Sequence, residues 1–317
     1  MKRSYLVAAL FAAFTLNSNL QAESVTFGTS GNEFTIDFVN IGNAGNAADT
    51  TTYGAVPYEY RMGKYEISQN AITNATASGM TGVTAGPWTG DQPAANITWY
   101  EAAAFVNWLN TSTGKTAAYN LTFSGSWSMQ LWSSEQAWTA GGTNLYRNKD
   151  ASYFLPSENE WYKAAYYNPA GSNYFVYPTA SSSAPTPVAS GTNAGTAVYN
   201  GGASPAAVPL SGGLSPYGTM GQGGNVWEWN ESAYDGINSS PTKSRVYRGG
   251  SFVDGLGNLG SSARYSLAPA LDYTTYGFRV ASVGVTPIPE PSTYFAALGL
   301  LCLGALPWLR RKRAKAF

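Results

Sequence analysis

Gly224-Asn225-Val226-Trp227-Glu228-Trp229 and, further on, Val246-Tyr247-Arg248-Gly249-Gly250-Ser251-Phe252 decide how this chain folds. Trp227 and Trp229 alternate about Glu228, the pattern of a strand with one buried face. Arg248 stands beside two glycines, and Arg279 follows Gly277-Phe278. A missing Cβ lets backbone come close. A guanidinium placed there can hold several carbonyls, or a carboxylate, in a fixed fork. Both arginines are therefore expected to be structural.

Outward from these stretches lie Lys64-Tyr65-Glu66-Ile67-Ser68, Thr98-Trp99-Tyr100-Glu101-Ala102 and Leu155-Pro156-Ser157-Glu158-Asn159-Glu160-Trp161, then Ala263-Arg264-Tyr265 and Gly277-Phe278-Arg279-Val280. In this order the blocks resemble the sulfatase-modifying-factor family, which includes the formylglycine-generating enzymes. The resemblance implies an α+β fold: a C-type-lectin-like, formylglycine-generating-enzyme-type domain with little regular secondary structure, over residues 23–285. It also implies a copper(I) oxidase with two cysteines shortly after the Arg-Gly-Gly-Ser block. The matching positions hold Asp254 and Leu259. Neither is a soft ligand, so no copper is expected. Family members further bind calcium. Here that implies the carbonyls of Gly224 and Val226 with the side chain of Glu228, and a second site at Asn193 and the Ala194 carbonyl. Gly221 stands where the family has an upstream Asp or Asn, which weakens the first site, since calcium prefers several anionic oxygens.

The only cysteine is Cys302, near the C-terminus, and there is no histidine. This excludes an intramolecular disulfide, Ser-His-Asp and Cys-His catalysis, and histidine- or thiolate-ligated metal centres. Net charge is zero with 11% charged residues, so no basic patch invites nucleic acid. Gly 35, Tyr 22 and Trp 10 describe a loop-rich globular chain tied down by aromatics rather than a disordered one.

Both ends carry sorting signals. Met1-Lys2-Arg3, the apolar run Tyr5–Leu16 and the small residue Ala22 form a secretory signal peptide over residues 1–22, removed by a signal peptidase. Residues 286–317 contain Pro289-Glu290-Pro291, an uncharged stretch from Thr293 to Leu309, and Arg310-Arg311-Lys312-Arg313. The basic end would stay cytoplasmic. This tail resembles the PEP-CTERM sorting signal of Gram-negative bacteria that make extracellular matrix. It implies an exosortase as partner, a tether in the inner membrane before processing, and a final place in the cell envelope or matrix.

Between the ends, Phe34–Val39 alternates with period two and reads as a half-buried strand. Tyr58–Ile67 is a second strand candidate, with Tyr58, Tyr60 and Met62 on one face. Thr98/Glu101 and Ser157/Glu160 have capping-box spacing and open two helices, the first burying Trp99, Ala102, Val106 and Leu109. Thr179–Ser215, dense in small residues and proline, reads as a long surface loop or a flexible insertion.

Two functions remain. One is a non-catalytic extracellular module binding a glycan or matrix component, with Trp88, Trp127, Trp132 or Trp138 placed either to stack on sugars or, the favoured reading for each, to anchor core or loop. The other is a carboxylate enzyme hydrolysing glycans through Asp254 with Glu228 or Glu231, which would have to sit a few ångströms apart.

Overall fold

The computed structural model describes residues 23–29 and 31–284. The expected signal peptide (1–22) and the sorting tail with Pro289, Glu290 and Pro291 lie outside the described residues. Among the described residues no helix is long and apolar enough to cross a membrane.

A five-stranded antiparallel sheet joins the two ends of the domain. Its order is Glu23–Phe27, Phe34–Ile41, Tyr60–Gly63, Ala281–Val283 and Tyr153–Phe154. The period-two strand forms as expected, with Ile36, Phe38 and Ile41 buried. The second strand is shorter than Tyr58–Ile67, covering Tyr60–Gly63, and at its end Gly63 lies where a Cβ would come 3.0 Å from the Val280 carbonyl. Both its faces are covered, not one. Tyr60 and Met62 enter the core, while Arg61 donates to Ser282 Oγ at 2.8 Å and pairs with Glu23.

Helix α1 (Gln69–Ala77) begins at Ser68, whose hydroxyl accepts from the Ala71 N–H. Helix α2 (Trp99–Ser112) and helix α3 (Glu158–Tyr166) each start with a complete capping box, at Thr98/Glu101 and Ser157/Glu160. Such caps contribute about 1 kcal/mol each. The centre of the molecule is unusually aromatic: Trp99, Trp161 and Trp229 are fully buried. Truncating any of them would cost about 3–5 kcal/mol.

Thr179–Ser215 is a surface segment pinned to the domain rather than a flexible insertion. Thr186–Pro187 pairs in parallel with Thr196–Ala197, Val198 bridges to Gly224, and the Ala206 N–H donates to the Asn225 side chain at 2.8 Å. A second sheet has the order Tyr265–Leu267, Arg245–Arg248, Trp227–Ala233, Tyr276–Gly277, the last pair parallel.

Candidate binding site

The second sheet has two chemically different faces. Register puts Trp229, Tyr247 and Tyr265 side by side across three strands, with Trp227 two residues from Trp229 and opposite Tyr276. Trp227 meets Tyr247 and Tyr265 edge-on at 5.1 and 5.3 Å between ring centroids, Tyr247 stacks on Tyr265 at 5.9 Å, and Tyr273 lies 5.1 Å from Tyr276. The tyrosines cover the tryptophans, so strand Trp227–Ala233 is buried on both faces. That corrects the expectation of one buried face. Tyr265 (43% exposed) and Tyr273 (53%) form the outer surface, with Val253 and Leu271 also exposed nearby in sequence. Burial pushes the Tyr247 hydroxyl upward, with the Tyr276 hydrogen bond partly opposing it, and burial and then Tyr247 push the Tyr276 hydroxyl upward, so these rings stay neutral hydrogen-bonding groups.

The opposite face is ionic and dry. Arg279 donates to both oxygens of Glu228 (2.5 and 2.6 Å), and Trp161 Nε1 adds a 2.7 Å bond to one of them. Arg279 also donates to the carbonyls of Gly63, Lys64 and Met220. Arg248 pairs with Glu158 and donates to the carbonyls of Ser261 and Ala263. Both arginines are structural, as expected. At Gly249 (φ +102°) a Cβ would meet the Gln222 carbonyl at 2.8 Å, which explains the glycine after Arg248.

Glu228 was expected to ligate calcium, and the donor set does not fit. Its carboxylate is fully buried and taken up by Arg279 and Trp161, so an ion there would have to displace a guanidinium. Gly221 offers no substitute position: a Cβ would fall 2.8 Å from both Glu66 Oε2 and Ser211 Oγ. Val226 is buried, and its N–H donates to Glu66 at 3.3 Å. Gly224 packs so closely on Val198 that a Cβ would overlap the Val198 carbonyl. Asn193 is exposed while Glu228 is not, and its carbonyl accepts from Thr196 Oγ1 at 2.7 Å in a local turn. Among the described residues no cluster of three or more acidic, histidine or cysteine side chains could hold a metal.

The carboxylates considered for acid–base work are likewise committed. Asp254 accepts from the Ser251 N–H and hydroxyl and from Asn258 Nδ2, closing its own loop. Glu231 is buried beside Arg147, which bridges it to Glu160. Burial drives the Glu231 carboxyl upward and Arg147 only partly opposes this. Burial acts on Glu160 too, but there Arg147 and the hydrogen bonds win and the net direction is down. Leu259 is a fully buried plug.

The four tryptophans are half-buried. Each donates its indole N–H to a backbone carbonyl: Trp88 to Thr274, Trp127 to Gly82, Trp132 to Ala118 and Trp138 to Ala140. They are anchored, and the exposed aromatic rings are Phe123 and the tyrosines Tyr234, Tyr265 and Tyr273. Sequence reading missed Tyr265 and Tyr273. Tyr265 lies opposite Tyr247, and Tyr273 precedes the short strand Tyr276–Gly277, so their common surface appears only once the strands are paired.

Residues 26–283 match the family described as the sulfatase-modifying factor enzyme 1-like domain. Among solved structures, the chain is similar to Treponema denticola variable protein 1, with 21% identity, TM-score 0.54, and coverage of 82% of this chain and 99% of that one. CarF follows with 20% identity, TM-score 0.53, and coverage of 79% and 99%. PvdO from Pseudomonas aeruginosa has 15% identity, TM-score 0.50, and coverage of 82% and 98%. At these identities the likeness concerns the fold. No curated protein matches the chain.

Proposed function

This chain belongs to the sulfatase-modifying factor enzyme 1-like family, and from that premise we propose that it is an exported, non-catalytic binding module on a C-type-lectin-like frame. One observation carries the reading. The carboxylates considered for acid–base work, Glu228, Glu231 and Asp254, are held by Arg279, Arg147 or their own loop, while Tyr265 of the second sheet and Tyr273, just before its last strand, face solvent. Rigid aromatic side chains supply contact area at low entropic cost, and a glycan or matrix polymer is the ligand class we assign to them. The sorting tail adds its support: a Pro-Glu-Pro tail handled by an exosortase would deliver such a module to the envelope or matrix.

The test is retention of the full chain on a glycan array and on extracted matrix polymer, with and without Tyr265→Ser and Tyr273→Ser. Binding of at least one glycan or matrix polymer that those changes weaken, without turnover, supports the module. Release of reducing sugar by the wild-type chain would favour the carboxylate enzyme instead.

A further inference from the structure

Away from the tyrosine face, two adjoining hollows of about 190 and 300 Å³ share Asn159, Ser232 and Gly236 and so form one groove. Its walls are the segments around Tyr53–Tyr58, Trp138–Asn144 and Ser232–Asn238, with the first turn of α3. We propose that this groove is a second binding site, shaped for a neutral saccharide.

Two ion-pair clusters make its floor rigid. Arg147 lies between Glu160 and Glu231, with Phe154 3.7 Å from its guanidinium carbon. Arg264 lies between the rings of Tyr53 and Tyr234, at 5.2 and 4.0 Å, and grips Glu158 with Nε and Nη2. Charge balances across the floor. Arg147 with two glutamates carries one net negative charge, and Arg248 and Arg264 with Glu158 carry one net positive. The Asp235–Lys243 pair at the rim is neutral. Such a floor does not single out an anion or a cation.

What remains available is hydrogen-bonding capacity at fixed positions. Asn159 Oδ1 accepts from the Gly54 N–H, which leaves its amide NH₂ facing outward. Ser232 Oγ accepts from the Glu158 N–H, which leaves its hydroxyl hydrogen. Arg264 uses Nε and Nη2 on Glu158 and on the Tyr234 carbonyl, so Nη1 has no acceptor among the described residues. Beside these donors stand two ring faces, Tyr234 (46% exposed) and half-buried Trp138, which packs edge-on against Tyr58 at 5.3 Å. A sugar ring offers the matching chemistry: a C–H face for an aromatic ring and hydroxyls for planar, pre-oriented donors. Few convergent polar groups in a preformed hollow are the usual makings of a small-ligand site. With Glu158, Glu160 and Glu231 all engaged by arginine, the groove holds no free acid pair for hydrolysis.

This proposal shares the ligand class of the module reading but not its surface. The experiment titrates full-length chain with cellohexaose, maltohexaose, chitohexaose and, as the anionic comparison, an alginate hexamer, by calorimetry. Tyr234→Ser removes the exposed ring, and Thr143→Trp fills the groove from an exposed position outside the ion pairs. Each is expected to weaken binding of a neutral hexamer at least about tenfold, the effect of losing a central contact, while Tyr273→Ser leaves it unchanged. Neutral binding that survives both groove changes overturns the proposal. So does tighter binding of the alginate hexamer, or no neutral binding by the wild-type chain. Binding abolished only by Tyr273→Ser would overturn the groove and leave the tyrosine-face module standing.

Discussion

Glu228 concentrates the energetics of this fold into one side chain. Its carboxylate and the Arg279 guanidinium are both fully buried and bonded at 2.5 and 2.6 Å, in a setting where either charge alone would be strongly disfavoured. Glu228→Gln should therefore cost about 3–5 kcal/mol in urea unfolding, because it strands a buried arginine. Glu228→Leu with Arg279→Met should cost less than the two single changes added together. The same geometry predicts that melts in calcium and in chelator superimpose. A calcium-dependent melting temperature that Glu228→Gln removes would restore the metal role expected from family resemblance. The partner was hidden from sequence reading by distance: Arg279 stands 51 residues from Glu228, and nothing local in either stretch announces the other.

At the scale of elements, α3 shows how one short helix serves three tasks. Ser157 and Glu160 cap it, Glu158 and Glu160 feed the two ion-pair clusters, and Lys163 is drawn into the core with Nζ 2.9 Å from the Asn43 carbonyl. Burial lowers the Lys163 ammonium from its ordinary 10.5 to about 8. Between those values the unfolded chain keeps a proton that the folded chain has released, so this lysine makes stability rise with pH. Urea melts should show the stability difference, wild type minus Lys163→Met, growing from about pH 8 to about pH 10. A difference flat across that window would mean that the folded state keeps the proton. Helices α2 and α3 were legible because capping boxes and apolar spacing are local signals. Helix α1 was not, since Gln69-Asn70-Ala71-Ile72-Thr73-Asn74 contains a single large apolar residue and its Ser68 cap lacks the reciprocal acid. The tyrosine face was illegible for a different reason. Tyr247, Tyr265 and Tyr276 become neighbours only through pairing between strands distant in sequence.

For the whole molecule, family membership and chemistry point in opposite directions, and the site must decide between them. The sorting proposal for the ends predicts that protein from a host with an exosortase ends near Pro291 by intact mass. Recovery of the complete tail from that host would refute the sorting proposal. The chemistry of the domain yields the firmer prediction. A formylglycine-generating oxidase holds copper(I) with soft thiolates and takes its substrate as a thiolate. Residues 23–285 hold no cysteine and no histidine, so no shift of alignment can supply a ligand. At the matching positions, Asp254 spends its oxygens on Ser251 and Asn258, and Leu259 fills the space beneath Gly250. Opening room for a metal there would mean breaking that loop and exposing a buried leucine. Full-length chain incubated with a cysteine-containing sulfatase peptide, copper and oxygen should therefore leave the peptide mass unchanged against a no-protein control. Conversion above that control would overturn both the absence of oxidase chemistry and the view that this frame is kept for binding.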